Sequence, residues 1–90
     1  MEFEWDEDKN WLNIAKHKLD FAQAAEVFAG DHIESFDTRF DYAEDRLSLL
    51  GLLDGRCVQI TYTHRDDRIR IISFRKASRY EQTRFFETYT

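Results

Sequence analysis

The stretch LSLLGLLDGRCVQITYT, residues 47–63, decides the fold. Asp54-Gly55 at its centre is the dipeptide of a tight hairpin turn, whose two central residues need positive φ. Before it, Leu47 to Leu53 is a largely apolar strand interrupted by Gly51. After it, Arg56 to Thr63 alternates, with Val58, Ile60 and Tyr62 on one face and Cys57, Gln59 and Thr61 on the other. Two strands joined in this way are antiparallel neighbours. A second tight polar turn, Arg65-Asp66-Asp67-Arg68, leads into a last strand from Ile69 to about Lys76. Upstream, residues 32–37 read as a strand and 38–43 as a polar and aromatic connection.

The flanks of this sheet read as helices. Phe3 and Trp5 alternate with Glu2, Glu4 and Asp6, a short first strand. Asp6 caps a helix running to about Lys18, and Trp11, Leu12, Ala15 and Leu19 form its apolar stripe. Asp20 caps a second helix, with Gln23 in the capping-box position. Phe21, Ala24, Ala25 and Phe28 make its buried face, and Gly30 ends it. Ser78 and Glu81 form a capping box that opens a C-terminal helix through roughly Tyr89. The expected order is β-α-α-β-β-β-β-α, an α+β fold with a small antiparallel sheet, two N-terminal helices and one C-terminal helix.

Ninety residues with 42% apolar and 16% aromatic content make one globular domain, residues 1–90. Cys57 is the sole cysteine, which excludes an internal disulfide and fits a reducing cytoplasm. No apolar run approaches the length of a membrane span, and the acidic start is no signal peptide. The expected location is therefore the cytoplasm. Net charge is −5, but residues 1–45 carry −9 and residues 46–90 carry +4. Eight of the nine cations in the second half are arginines, whose planar fork grips phosphate. Two explanations stay open: a local anion site, or neutralisation of one half by the other.

The last strand bears on chemistry most directly. Ile69, Ile71, Ser73 and Arg75 share one face by simple alternation; Arg70, Ile72, Phe74 and Lys76 share the other, which Phe74 marks as the core face. Arg75 would then face a cleft, with Arg65 at the preceding turn and Arg79 just beyond. Such cations could hold a scissile phosphate, or simply pair with the acidic helices. Asn13, Lys16 and His17 share a face of the first helix. His17 could act as acid or base and Lys16 could hold phosphate; a solvated helix end is the plainer alternative. Tyr80 could stack on a base or pack with Phe85, Phe86 and Tyr89. The three histidines and Cys57 lack metal-ligand spacing, and there is no glycine-rich phosphate loop, so no metal or cofactor is expected.

Several segments in order also resemble a known family. They are Phe3-x-Trp5-Asp6-x-x-Lys9, Asn13-x-x-Lys16-His17, Phe21-x-x-Ala24-x-x-Val27-Phe28, Glu44-x-Arg46, and Arg70-Ile71-Ile72-Ser73-x-Arg75-Lys76-Ala77 with Glu81. Together they resemble the BrnT family of bacterial type II toxins, over nearly the whole chain to about Arg84. Phe74 stands where the family often has a small residue, and Ala29 to Phe40 shows little of the pattern. The resemblance implies a RelE-like fold and a metal-independent ribonuclease that blocks translation. It implies a cognate BrnA-type antitoxin with a ribbon-helix-helix DNA-binding part, so that DNA is reached only through the partner. In that chemistry the ribose 2′-hydroxyl attacks the adjacent phosphate. Arg65 and Arg75, with Lys76 in reserve, are then the expected cations. His17 is the expected proton-transfer group, with Tyr80 or Glu44 as substitutes. Lys16 and Arg79 would bind phosphate. The alternatives are a non-catalytic module whose basic C-terminal face binds RNA or a protein, and a structural subunit whose arginines are interfacial.

Overall fold

The computed structural model describes residues 1–37 and 45–90. The elements are β1 (Glu2–Glu4), α1 (Glu7–His17), a 3-10 turn (Phe21–Gln23), α2 (Ala24–Ala29), β2 (His32–Phe36), β3 (Leu47–Leu53), β4 (Arg56–Arg65), β5 (Arg68–Lys76) and α3 (Arg79–Thr88). The order matches the expected one. The expected connection over 38–43 and the candidate Glu44 lie outside the described residues.

Five strands form one sheet in the order β1-β5-β4-β3-β2. β2 to β5 are an antiparallel meander, with Asp54 (φ 51°) and Gly55 (φ 80°) making the β3–β4 turn. The expectation of a wholly antiparallel sheet needs correcting at one edge, because β1 runs parallel to β5. The chain leaves β1 through the helices, enters the far edge at β2, and meanders back to β1's side. The short β1 is held from its flank: Arg70 meets Glu4 at 2.8 Å and Arg68 meets Glu2 at 3.1 Å. Two arginines of the basic half are thus neutralised by the first strand, and not by the helices.

The main core lies on one sheet face. Leu49, Ile60, Tyr62, Ile71 and Phe74 pack there against Phe21, Ala24 and Val27. Each large side chain so buried contributes on the order of 1.5–3 kcal/mol before entropy is counted. The approach of α2 explains Gly51: a Cβ there would lie 2.6 Å from Val27 Cγ1. On the other face α3 covers a smaller cluster of Leu50, Cys57, Ala77 and Phe85.

Three expectations about faces change. In α1 the expected apolar stripe is largely outside, with Trp11 65% and Leu12 71% exposed, whereas Asn10 and Asn13 are buried. Asn10 donates to Asp20 Oδ1 and accepts from the Phe21 amide, while Asn13 spans the Leu19 carbonyl and both backbone groups of Phe74. Hydrogen bonding, and not apolar burial, selects that face. In the second helical segment the Asp20–Gln23 capping box is present but opens a 3-10 turn, so Phe21, Ala24 and Val27 are buried and Ala25 is exposed. In β5 a register irregularity opposite Thr61 and Tyr62 pairs Thr61 with Ser73 and Tyr62 with Ile71. Ile72 is the extra residue, so the alternation reverses there. Ile69 and Ile71 therefore join Phe74 in the core instead of sharing the face of Arg75.

Candidate active site

The bulge leaves Ser73 and Arg75 on the face away from the core, among polar partners. Read across the register, Ser35, Ser48, Thr61 and Ser73 form a row of four hydroxyl-bearing residues on four strands. The next row is Ile33, Leu50, Gln59 and Arg75. α3 closes over one end of these rows and brings Glu81 onto Arg75. A cleft of about 180 Å³ remains, lined by Ser35, Phe36, Asp37, Ser48, Gln59, Arg75 and Glu81.

Glu81 serves two structures at once. Its Oε1 accepts from the Ser78 amide at 2.8 Å, completing the capping box with the Ser78 hydroxyl. The same carboxylate takes both ends of the Arg75 fork, Nη1 at 2.8 Å and Nη2 at 3.0 Å. Nη1 also donates to the Lys76 carbonyl at 3.2 Å. This bidentate pair holds the Glu81 carboxyl at about 2, chiefly through the Arg75 hydrogen bonds and against the opposing effect of burial. The resulting arginine is fixed in position by a carboxylate that stays ionised across the physiological range.

His17 lies at the end of α1, which packs along β5. Its imidazole is held below the ordinary histidine value, first by burial and then by the cations of Lys16 and Arg75. It is therefore neutral at pH 7, as a proton acceptor must be. Arg75 thus acts on His17 through its charge and on Glu81 through a bidentate pair.

The other sequence candidates are dispersed. Arg65 ends β4 opposite Arg68, seven positions along β5 from Arg75, roughly 20 Å at strand spacing. It is not brought to Arg75. Tyr80 is 76% exposed in the first turn of α3 and makes none of the expected ring contacts; Phe85 packs instead with Phe86 and Tyr89. Arg79 lies with Gln82 and Phe86 on the outer side of α3, and Lys76 is exposed near Arg56 and Cys57. Burial, and then the neighbouring Glu81, push the Cys57 thiol up, so it is no ready nucleophile. Among the described residues no three His, Cys, Asp or Glu side chains group as a metal site.

Gln59 and the Arg75 partnership of Glu81 are not singled out by the residue pattern. For Glu81 the capping-box spacing conceals a second role. For Gln59 the one signal is an amide placed on the polar side of an otherwise regular strand.

Among the described residues no helix is long and apolar enough to cross a membrane. No curated protein matches the chain. Residues 5–81, which carry α1, strands β2 to β5, Arg75 and Glu81, match the family described as ribonuclease toxin, BrnT, of type II toxin-antitoxin system, and the chain belongs to that family.

Proposed function

We propose that the chain is a metal-independent endoribonuclease whose reacting centre is built on Arg75, His17 and Lys16. The observation that carries this reading is that one side of Arg75 has no partner among the described residues. Glu81 takes one N–H from each terminal nitrogen and the Lys76 carbonyl takes the second from Nη1. The Nε–H and the remaining Nη2–H point the same way and form a second fork, with the spacing of two phosphate oxygens. Glu81 orients the guanidinium; the free fork takes the scissile phosphate and the charge that develops on it.

The ribose 2′-oxygen attacks the adjacent phosphorus. The 2′-O–P bond forms as the P–O5′ bond breaks, leaving a 2′,3′-cyclic phosphate and a 5′-hydroxyl. His17 accepts the proton of the 2′-hydroxyl, and solvent supplies one to the departing 5′-oxygen. Lys16, Lys76 and Arg79 take flanking phosphates. Arg65 lies outside the reacting centre and meets the RNA backbone several nucleotides away. Cutting messenger RNA in the cytoplasm stops translation, and a BrnA-type antitoxin neutralises the enzyme.

The test is RNA 5′-end mapping in bacterial cells after brief induction of the chain without its antitoxin, beside Arg75→Ala. New ends should arise within minutes and fall by roughly 10²–10³ in the variant, the loss typical of a removed transition-state donor. RNA that is retained but uncut would instead identify a binding module.

A further inference from the structure

Trp11 and Leu12 sit side by side on the outer face of α1, both exposed, and neither takes part in the cleavage chemistry above. Helical spacing puts Asp8, Leu12 and Lys16 in one row along that face, and Glu7, Trp11 and Ala15 in the row beside it. All six residues are exposed. The first row has an acid at one end, a base at the other, and Leu12 midway. Glu7 already accepts from the Trp5 indole, whereas Asp8 and Lys16 make no ion pair among the described residues. Adjacent exposed apolar side chains rimmed by charge are the usual mark of an interaction surface.

We infer that this face binds a second copy of the chain, α1 against α1 and antiparallel, about a two-fold axis at Leu12. Antiparallel pairing sets Asp8 of each copy against Lys16 of the other and Leu12 against Leu12, with Trp11 beside the small Ala15 of the second copy. The commonest helix-packing class lays the i±4 rows of two helices along one another, so this row pairs with itself without distortion. Its two ion pairs stand about 12 Å apart along the helix, eight residues at ~1.5 Å each, and flank the apolar centre. A partner of uniform charge would meet only one end of the row favourably; a second copy meets both. One helix pair is a small interface, so the dimer is weak and salt-sensitive. The contact also reaches the site, because Lys16 then holds the second copy's Asp8 and is withheld from RNA phosphate. That consequence rests on the nuclease reading; the dimer itself does not.

Sedimentation velocity on the full chain, from about 1 to 500 μM, tests the dimer. The parent should pass from monomer to dimer within that range, and less readily at about 1 M salt. Leu12→Glu, at an exposed position, should keep the parent's melting curve and stay monomeric. Asp8→Lys sets like charges against each other at both ends and should weaken the dimer about tenfold; adding Lys16→Glu reverses both pairs and should restore it. Should Leu12→Glu not fold, the charge swap decides alone. A parent that stays monomeric, a dimer that Leu12→Glu leaves intact, or a double variant no tighter than Asp8→Lys would overturn the proposal. A monomeric parent whose Leu12→Glu variant loses its antitoxin would give the face to that partner and overturn the second copy. RNA cutting per molecule should fall as the parent's concentration crosses the dimer range, and should not fall in Leu12→Glu. Undiminished cutting by the dimer would overturn the withholding of Lys16 and leave both dimer and nuclease standing. A dimer that cuts no RNA at any concentration, with Leu12→Glu equally inert, would overturn the nuclease reading and keep the dimer.

Discussion

The side-chain amide of Asn13 brackets the backbone of Phe74, accepting from its N–H at 3.2 Å and donating to its carbonyl at 2.9 Å. β1 pairs β5 only as far as Arg70, so beyond that point the outer edge of β5 has no strand beside it. Asn13 supplies one residue's worth of strand there and ties α1 to the sheet. It also donates to the Leu19 carbonyl at 2.8 Å and is 8% exposed. Asn13→Ala leaves three buried backbone groups without partners. The expected loss is about 2–4 kcal/mol, read as a lower denaturant midpoint at unchanged slope.

Glu81 provides an acid-limb prediction. Its carboxyl sits at about 2 in the folded protein against an ordinary 4.5. A depressed folded value means the stabilisation is present above about 4.5 and is lost as pH falls toward 2. Glu81→Gln retains an oxygen for the Ser78 amide but removes the charge that Arg75 grips. At neutral pH the variant should be less stable by about 2–3 kcal/mol, and the difference should close near pH 2. Denaturant titrations from pH 2 to 7 measure this directly; a gap that stays constant with pH would make Glu81 a helix cap and nothing more.

His17 titrates low because it is partly buried and faces the cations of Lys16 and Arg75. Removing either cation should raise its midpoint toward 6.5, and ring-proton NMR of Lys16→Ala and Arg75→Gln reads the shift. The folded state resists protonation of this ring. Stability linked to it is therefore present above the unfolded value and is lost as pH falls through the lowered one. A cleavage rate limited by this base rises with pH through the same midpoint and should follow it in Lys16→Ala.

What the sequence reveals and conceals follows from which force sets each feature. The β3–β4 hairpin was legible because Asp54-Gly55 and the Val58, Ile60, Tyr62 alternation are local signals. Both capping boxes were legible for the same reason. The inward face of α1 was not, since Asn10 and Asn13 are chosen by backbone groups at residues 21 and 74, far along the chain. Periodicity sees the apolar Trp11 and Leu12 instead, and these are exposed. Simple alternation also fails across the β5 bulge, where a single extra residue reverses every later side chain. Arg75 stood out as a cation on an apolar strand. Its partner Glu81 carried a sufficient local explanation as a cap, and the opposition of Gln59 to Arg75 is a matter of register that only the folded sheet displays.

Gly51 interrupts β3 where α2 crosses it. A Cβ at this position would come within 2.6 Å of Val27 Cγ1, and Val27 is fully buried with a stiff, branched side chain. Gly51→Ala should therefore cost about 1–3 kcal/mol, despite the better strand propensity of alanine. Pairing it with Val27→Ala makes room for the methyl group. A double-mutant cycle should then show the two substitutions costing less together than their separate costs predict.

Tyr62 lies at the centre of the main core, fully buried, with Phe28 edge-on at 5.0 Å and His64 at 6.0 Å between ring centres. Its ring does the packing, and its hydroxyl has no partner among the described residues. The hydroxyl thus carries a desolvation cost with no hydrogen bond to offset it. Tyr62→Phe removes that cost and keeps the ring, so it should raise stability by about 1–2 kcal/mol in thermal or denaturant unfolding. Tyr62→Leu discards the ring contacts as well and should be destabilising. A Tyr62→Phe protein less stable than the parent would reveal a donor or acceptor that reaches the hydroxyl in solution, and would mark Tyr62 as a polar anchor of the core.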